Sequence, residues 1–528
     1  MKYILILFIL IPTYSLTQTS DITWGTILEN KAYGKSQFLF KKNDFIYELH
    51  DIKNKKEIWK INSDNLQIVN RVEIELKWNN NEHHLIKGFV FGGRQWLFTW
   101  THNQAKGTST TWTHSFDIST LSISEPTHIF DYNSPNTKTL KIVGDDYTTR
   151  IFSRSMMRIE TSMLGQYAMV MSCKGLVKNL HVKNKEKQQP RTFQTQLFTD
   201  SFENSEVADF KPPADNFYIE QSYIDLDGSV YMLGRSIDVA LNNSNMPKIS
   251  NYHDLQLLKY DPISGDYISE KIEADKPFYT NNKLLVDGDL HFVSLYDLPE
   301  NDKTQLIYKS YNSDLINKRS FNCEVGNAHI NIGSKEDLAR ESKYEVHGPK
   351  GKRVFPIEFD FVFFEKLNNG DALCILEKRS LLYAGDKNYY LSGDLLLFCF
   401  NSDSVKWTKK IEKDQKAIST EFEVNHLGTY AYLQNDKIHL YYNESPYKTE
   451  MESNSFTIKF DEFQPNHIKH IILAYDGAIT EQSNFTIQGS KKPLFIEPDN
   501  CAEIAPGVIR MAASNKKERK IGIHKLSN

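Results

Sequence analysis

Residues 368–411 read NNGDALCILEKRSLLYAGDKNYYLSGDLLLFCFNSDSVKWTKKI and contain the unit on which the rest of the chain is patterned. The stretch begins with Asn, Gly and Asp residues, which favour tight reversals of the backbone. The apolar runs that follow are typical of half-buried or fully buried strands. We therefore predict, in order, a turn at 368–371, a strand at 372–376, a loop to Gly393, a strand at 395–400, a turn at 401–404 and a strand at 405–411.

The same order of turn, strand, loop and strand recurs along the chain, although no motif is repeated letter for letter. The two clearest further copies begin at the turns Asp227-Gly228 and Asp287-Gly288. Copies start about every 66 residues, which leaves room for roughly four strands in each. Eight pairs of strands can be traced: 45–49 with 57–61, 96–100 with 112–116, 167–171 with 193–198, 230–233 with 255–260, 290–295 with 306–311, 372–376 with 395–400, 438–442 with 468–475 and 508–511 with 521–525.

Short strands at regular intervals, with little helical periodicity, are typical of sandwiches, barrels and radial repeats. A sheet of about four strands is too small to bury both of its faces, so each copy has to be covered by its neighbours. A repeat of this length favours blades arranged around an axis. We predict an all-β fold, a β-propeller with eight blades, and keep seven blades as the alternative.

The two ends of the chain supply complementary parts of one copy. Residues 21–29 read DITWGTILE and resemble SVKWTKKIE at 404–412, the outermost predicted strand of the clearest copy. The last copy ends after its strand at 521–525 and has no outermost strand of its own. Because a closed ring leaves no free sheet edge, we predict that the N- and C-terminal strands share one blade.

The first residues have the three-part layout of a secretory signal peptide. Lys2 supplies an early positive charge, residues 3–11 are apolar, and Pro12 precedes small or polar residues. The apolar run is far shorter than the ~20 residues that span a bilayer, so no membrane span is expected. We predict a signal peptide at 1–17 and one domain at 18–528 in a secreted or periplasmic protein; a buried first strand is the alternative.

Charge and cysteine content bear on nucleic-acid binding, on disulfides and on zinc sites. A net charge of −4, with lysines interspersed among acidic residues, gives no support for nucleic-acid binding. The five cysteines have neither the spacing of a disulfide framework nor that of a zinc site. Cys374 and Cys399 lie on predicted neighbouring strands, so a cross-strand disulfide and two buried thiols both stay open, the thiols being favoured.

The sequence motifs assign no catalytic, cofactor-binding or metal-binding residue. The G-x-S-x-G and H-E-x-x-H patterns do not occur, and we interpret His83-His84 as part of an exposed loop rather than a metal site. Asp225–Ser229 begins like a calcium loop, but Ser236 stands where that loop needs its glutamate, which favours a hairpin turn.

Aromatic residues alternate along the strand at 96–100. Trp96, Phe98 and Trp100 share one face, and Leu97 and Thr99 share the other. Such a face is typical of a core between blades, and the alternative is a platform on which sugar rings stack.

The mature chain resembles the uncharacterised, secreted β-propeller-like proteins of Bacteroidetes-type bacteria. The resemblance rests on the exported start, on Trp24-Gly25, on GDLLLFCFNSDSVKWTKKIEKDQ at 393–415 and on the terminal KIGIHKL at 520–526. It covers most of the chain, implies the propeller architecture, and brings no catalytic residues with it.

Two functions fit these observations. The first is a non-catalytic binding or scaffold propeller, a monomer without cofactor that recognises a protein or glycan partner through its loop face. The longest inter-strand segments, 178–191, 236–253 and 326–353, would form that face. The alternative is a carbohydrate-active enzyme that uses acidic residues at the central pore, as glycoside hydrolases use paired carboxylates.

Overall fold

The computed structural model describes residues 22–26, 28–29, 36–52, 55–103, 108–133, 157–162, 166–174, 192–199, 207–214, 217–241, 247–272, 282–298, 303–325, 346–348, 351–353, 358–384, 387–401, 403–413, 415–419, 426–444, 467–487, 494–515 and 518–526. Within these ranges the helical content is a single 3-10 turn at Pro498–Asn500, and the other regular elements are strands. No helix long and apolar enough to cross a membrane is found in this part of the chain.

The first half of the chain forms four antiparallel blades, numbered along the chain. Two short strands, β1 (Thr23–Trp24) and β2 (Leu28–Glu29), come first. Blade 1 contains β3 (Ser36–Lys42), β4 (Phe45–Ile52), β5 (Lys55–Asn62) and β6 (Ile68–Ile74), followed by a hairpin of β7 (Lys77–Trp78) and β8 (Asn81–Glu82). Blade 2 contains β9 (His84–Phe91), β10 (Arg94–Asn103), β11 (Thr108–Asp117), β12 (Ser122–Ile123) and β13 (Thr127–Asn133). Blade 3 contains β14 (Met157–Thr161), β15 (Tyr167–Lys174), β16 (Thr192–Thr199) and β17 (Ala208–Phe210), and blade 4 contains β18 (Phe217–Ile224), β19 (Val230–Leu241), β20 (Pro247–Tyr260) and β21 (Tyr267–Ile272).

The second half forms four more blades. Blade 5 contains β22 (Asn282–Asp287), β23 (Asp289–Leu298), β24 (Lys303–Tyr311) and β25 (Asn317–Val325), followed by a hairpin of β26 (Val346–Gly348) and β27 (Gly351–Arg353). Blade 6 contains β28 (Glu358–Lys366), β29 (Ala372–Ala384), β30 (Lys387–Phe400), β31 (Val405–Ile411) and β32 (Gln415–Ser419). Blade 7 contains β33 (Tyr430–Gln434), β34 (Lys437–Glu444), β35 (His467–Leu473) and β36 (Ile479–Thr486), and blade 8 contains β37 (Phe495–Ile496), β38 (Ala502–Ala505), β39 (Val508–Ser514) and β40 (Glu518–Lys525).

The prediction of an eight-bladed β-propeller is confirmed, and the seven-bladed alternative is wrong. Each of the eight predicted strand pairs is the central pair of one blade, from β4 with β5 in blade 1 to β39 with β40 in blade 8. The sequence could predict these pairs because turn residues lie on both sides of each apolar run and so mark where each strand begins and ends.

The predicted closure of the ring is also confirmed. β1 lies antiparallel to β40, with Thr23 opposite Ile523 and Trp24 opposite Gly522. A Cβ atom on Gly522 would lie 2.7 Å from Cε3 of the Trp24 ring, so only glycine lets the indole pack against this strand. The chain start therefore supplies the outermost strand of blade 8.

The core consists of apolar layers between neighbouring blades. Side chains alternate across each central strand, as in β29, where Cys374 and Leu376 face blade 5 and Leu373 and Ile375 face blade 7. In the described ranges each of the eight blade interfaces holds one such buried cluster. Since burying one Leu or Phe side chain contributes about 1.5–3 kcal/mol, these layers are the main source of stability.

Cys374 and Cys399 are buried free thiols, which confirms the favoured interpretation. The register places Cys374 opposite Phe398 and Cys399 opposite Leu373. The two thiols therefore point to opposite faces of blade 6, one in each apolar layer.

Two predicted loops are instead strands. The segment 236–253 contains the ends of β19 and β20, which pair as far as Leu241 with Pro247, and 377–392 is paired within β29 and β30 as far as Ala384 with Lys387. Turn residues in the middle of each segment, such as Gly385-Asp386, favour a loop, but the residues on either side pair by cross-strand hydrogen bonds. Within 326–353, β26 and β27 form a hairpin and 326–345 lies outside the described residues, as does the third predicted loop, 178–191.

Candidate functional site

The antiparallel order of the strands divides the ring into two faces. The turns between the first and second strands of a blade, such as 225–229, and those between the third and fourth strands lie at the same face. We call it the turn face. The opposite face, the connection face, receives the strand ends joined by 134–156, 175–191, 326–357 and 445–466. These longer connections between strands therefore begin and end at the connection face.

A buried carboxylate lies on the connection-face side of blade 6. Glu377 on β29 is fully buried and faces blade 7. It accepts hydrogen bonds from Lys413 Nζ, from Arg379 Nε at 2.6 Å and from the Thr429 hydroxyl at 2.8 Å. Arg379 also contacts Asp360 of the innermost strand β28 at 3.1 Å.

Lys413 donates hydrogen bonds to several side chains besides Glu377. Its ammonium group donates to Ser392 Oγ at 2.8 Å and to Gln415 Oε1 and Thr429 Oγ1 at 3.1 Å each. Burial lowers the pKa of Lys413 to about 8, against the attraction of Glu377. Burial alone would raise the pKa of Glu377, but Lys413 and Arg379 outweigh it and lower the pKa to about 2. Glu377 is therefore a carboxylate at neutral pH.

A second buried pair joins blades 1 and 8. Glu48 on β4 accepts a hydrogen bond from Arg510 Nε at 2.6 Å and another from its Nη2, and both side chains are fully buried. His50 Nε2 lies 2.9 Å from the other carboxylate oxygen. Burial by itself would raise the pKa of Glu48, but Arg510 and the hydrogen bond from His50 hold it well below its usual range.

A third carboxylate connects these two groups. Glu497 accepts hydrogen bonds from Arg519 Nη2 at 3.0 Å, from Asn500 Nδ2 at 2.7 Å and from the Ser514 hydroxyl. Its pKa is lowered because the attraction of Arg519 and these hydrogen bonds outweigh burial. Arg510 Nη1 donates to the Asn500 carbonyl, so the Glu497 and Glu48 groups share a connection.

Gly428 lies where the Glu377 group meets the segment that carries Glu497. A Cβ atom on Gly428 would lie 3.1 Å from Arg379 Nη2 of blade 6 and 3.9 Å from Pro498 Cβ of blade 8. Its φ of +110° is also one that side chains rarely adopt, so this position requires glycine. Polar contacts at Glu377 link blades 6 and 7, and those at Asn500 and Glu48 link blades 8 and 1, and we call these groups together the ionic arc.

The ionic arc brings carboxylates together but leaves them paired with cations. A general acid needs a pKa near the working pH, whereas Glu48, Glu377 and Glu497 have lowered pKa values. The three carboxylates thus have the chemistry of links between blades rather than of general acids.

The prediction that His83 lies in an exposed loop is wrong. Its side chain is 2% exposed, and Nδ1 lies 3.1 Å from Thr99 Oγ1. The rings of Trp78 and Trp112 lie 4.9 and 5.5 Å away, and burial lowers the pKa of His83 to about 4. The hairpin β7–β8 was not visible as a strand signal in the polar sequence, which explains the error. No group of three or more His, Cys, Asp or Glu in the described part of the chain is arranged to hold a metal ion.

The predicted aromatic face does form a core between blades. Trp96 and Phe98 are buried against blade 3, while Leu97 packs toward blade 1. Trp100 is half-buried, and its ring lies 4.9 Å from that of His84. The segment Asp225–Ser229 forms the predicted turn, with Ser229 N donating to Asp227 Oδ1 at 2.8 Å.

A cleft at the turn face between blades 5 and 6 was not predicted. Its volume is about 510 Å³, and its walls include His291, Tyr308, Arg319 and Lys366. These residues belong to four different strands, β23, β24, β25 and β28, so no sequence spacing connects them.

The chain is similar in fold to propellers of known structure. It covers 97% of the Dos1 propeller with 97% of its own length, at 8% identity and a TM-score of 0.39. The Nup133 β-propeller domain from Vanderwaltozyma polyspora matches at 10% identity, over 83% of this chain and 100% of that one, with a TM-score of 0.34. A mutant of the α-L-arabinofuranosidase arb93a from Fusarium graminearum, in complex with an iminosugar inhibitor, matches at 8% identity, over 71% and 94%, with a TM-score of 0.32.

These similarities concern the fold alone, because unrelated functions share propeller architectures. No protein-family model matches the chain, and no curated protein matches it.

Proposed function

We propose that this protein is an exported, non-catalytic binding propeller that recognises a protein or glycan partner through its connection face. The observation that carries the proposal is that the central hairpins of blades 4 and 6 extend beyond their blades at that face, and we call these extensions the ribbons. In blade 4 the outermost strand β21 pairs with β20 only as far as Leu255. Beyond that residue β19 and β20 pair only with each other, as far as Leu241 opposite Pro247. In blade 6, β29 and β30 continue past Leu395 to Ala384 and Lys387.

The ribbons extend beyond the part of each blade that the outermost strand covers. An extended strand pair offers backbone that is already paired, so less chain has to be ordered when a partner binds. In blade 6, β32 pairs with the β30 side of the ribbon, which steadies it further. Blades 4 and 6 flank blade 5, so the two ribbons and the end of β25 surround one sector of the connection face.

Shortening the ribbon of blade 4 tests the proposal. Asp238 and Asn251 are opposite each other, so residues 239–250 can be replaced by an Asn-Gly turn without disturbing the blade. The matched control replaces 261–266, between Tyr260 and Tyr267 at the turn face of the same blade, by the same turn. Glycan-array binding and pull-down from the surrounding medium would be compared for the two variants and the parent protein.

The expected result is loss of partner binding in the ribbon variant and retention in the control. Equal binding by all three proteins would overturn the connection-face proposal. Product release from a polysaccharide would overturn the non-catalytic part and favour the carbohydrate-active alternative. Export is tested separately by the N-terminal sequence of the protein recovered outside the cytoplasm, which should start at Gln18.

A further inference from the structure

We propose that the turn face over blades 4 and 5 is a docking surface for a basic segment of another protein, one in which lysine or arginine alternates with apolar residues. This surface lies on the face opposite the ribbons, so it goes beyond the proposed function and is independent of it. Two observations carry the proposal: large apolar side chains that are exposed there, and carboxylates without an ion-pair partner among the described residues.

The exposed apolar side chains belong to turns or to the start of a strand. Ile263 is 73% exposed and Ile316 is 62% exposed, and each lies in the turn between the third and fourth strands of its blade. Leu226, in the turn between the first and second strands of blade 4, and Ile268, near the start of β21, are each 49% exposed. Exposed apolar residues gathered among polar ones are typical of protein interaction sites. We call these four residues, together with Asp225, Asp227, Asp261, Asp266 and Asp314, the blade 4–5 surface.

Packing between the two blades brings the parts of this surface together. Leu315, next to Ile316, is 4% exposed and belongs to the same buried cluster as Tyr231 of blade 4. Ile272 of β21 lies in that cluster too. Because side chains alternate along a strand, Ile268 is on the same side of β21 as Ile272, the side that faces blade 5. Exposed apolar residues from both blades therefore occupy one sector of the turn face.

The carboxylates give this sector its charge. The turns 225–229, 261–266 and 312–316 contain five carboxylates and no lysine, arginine or histidine. Asp225, Asp227 and Asp261 accept hydrogen bonds from N–H groups of their own turns, which leaves their charge in place. No ion pair within the described residues involves these three, Asp266 or Asp314. The surface is therefore negative as well as apolar.

The carboxylates of both blades lie near one ring. The pKa of Tyr231 is raised to about 12 by burial and by the charges of Asp225, Asp227 and Asp314. Lys259 Nζ lies over the same ring, 5.9 Å from its centroid, rather than on one of these carboxylates. Complementary charge selects a partner at an interface, so this surface selects a basic one.

The neighbouring sector of the same face is different. Along the cleft between blades 5 and 6, three carboxylates are each held by a lysine: Asp289 by Lys318 at 2.7 Å, Asp371 by Lys406 at 2.7 Å and Asp287 by Lys366 at 3.2 Å. The chain thus supplies its own cations there and supplies none in the turns of the blade 4–5 surface. A partner would supply them instead.

The test measures binding of three labelled peptides to the exported protein by fluorescence anisotropy. Each peptide has four repeats, of Leu-Lys-Ser, of Ser-Lys-Ser or of Leu-Glu-Ser. We expect the first to bind at least tenfold more tightly than either of the others, because it alone is both basic and apolar. Its affinity should fall as the salt concentration rises from ~0.1 M to ~1 M, because salt screens exposed charges. Failure to bind at millimolar concentration overturns the inference, and so do equal binding of a control peptide and an affinity that salt does not change.

Two double variants locate the binding. Ile263→Ser/Ile316→Ser removes the two most exposed apolar side chains of the surface and should weaken binding of the Leu-Lys-Ser peptide at least tenfold. Asp266→Asn/Asp314→Asn removes two charges, so it should weaken binding and reduce its dependence on salt. Binding that survives both variants overturns the assignment.

A matched control changes exposed apolar side chains elsewhere on the turn face. Tyr475→Ser/Ile479→Ser lies in blade 7 and should leave peptide binding unchanged, and an equal loss in this variant overturns the location. Sedimentation tests a second copy of this chain as the occupant. A dimer of the parent protein that Ile263→Ser/Ile316→Ser abolishes would assign the surface to that copy and overturn the basic segment.

The variants of the connection-face experiment separate the two surfaces. Replacing 261–266 removes Ile263 and two carboxylates, so it should weaken binding of the Leu-Lys-Ser peptide while the partner of the ribbons is retained. The shortened blade 4 ribbon should bind the peptide normally. Failure of this inference and failure of the proposed function are therefore distinguishable.

Discussion

The interface between blades 4 and 5 and the interface between blades 8 and 1 solve the same packing problem differently. Between blades 4 and 5 the buried cluster, which includes Leu257 and Phe292, is apolar, and the buried Arg235 pairs with Glu220 of its own blade rather than across the interface. Between blades 8 and 1 a smaller cluster around Ile46 and Ile521 lies beside the buried Glu48–Arg510 pair. Apolar packing is non-directional, whereas a buried ion pair is favourable only with its own partner in place.

The comparison leads to a hypothesis about the ring. The apolar layers supply stability at every interface, and the ionic arc specifies which blades meet where the ends of the chain close the ring. Glu48 and Arg510 are far apart in sequence, so their pairing reports closure directly.

Breaking the Glu48–Arg510 pair should have the largest effect on the free energy of unfolding. Glu48→Ala leaves Arg510 buried without its carboxylate, and we expect a loss of about 3–5 kcal/mol in the free energy of unfolding. Denaturant unfolding measures it. In the double variant Glu48→Met/Arg510→Met no charge is left unpaired, so the loss should be smaller than for Glu48→Ala. An equal or larger loss in the double variant would contradict the view that the pair adds specificity rather than stability.

An apolar truncation at the other interface should have a comparable or somewhat smaller effect. Leu257→Ala removes a fully buried side chain from the cluster between blades 4 and 5, and we expect a loss of about 2–5 kcal/mol. The same denaturant measurement applies. A change below 1 kcal/mol would mean that this layer collapses around the truncation and is not tightly packed.

Acid should weaken the interface between blades 7 and 8 gradually. His439 Nδ1 lies 3.1 Å from His470 Nε2, and burial lowers the pKa of His439 to about 4 and that of His470 to about 2. The unfolded chain takes up these protons below about pH 6.5, so it binds more protons than the folded chain as the pH falls. The free energy of unfolding should therefore decrease from pH 6.5 to 4.

His470→Phe should flatten this decrease, because it removes one of the two groups. The exposed His128 provides the control, and His128→Phe should leave the slope unchanged. Identical slopes for both variants and the parent protein would show that the buried pair does not govern the pH dependence.

The smallest effect is expected at an exposed pair across the same closure interface. Lys525 Nζ lies 3.5 Å from Asp64 Oδ1, with both side chains largely exposed. Asp64→Asn should change the free energy of unfolding by less than about 1 kcal/mol, because water screens the pair. A loss as large as that of Glu48→Ala would refute the link between burial and specificity.

Much of the fold could be predicted from local pattern. Turn residues and apolar alternation located the central pair of all eight blades, and Trp24 with its similarity to the segment around Trp407 located the closing strand. The ribbons at 236–253 and 377–392 escaped prediction because turn residues in the middle of each segment, such as Gly385-Asp386, favour a loop, although the backbones on either side pair.

The candidate sites could not be predicted in this way. Glu48 and Arg510 meet only because the ring closes, and His83 is buried only because Trp78 and Trp112 cover it. The cleft likewise joins Arg319 of blade 5 to Lys366 of blade 6. The sequence by itself determined the strands and their partners along the chain, since these depend on residues close in sequence. Only the tertiary structure decided which charges are buried together, because burial and pairing between blades depend on residues that the chain order does not bring near.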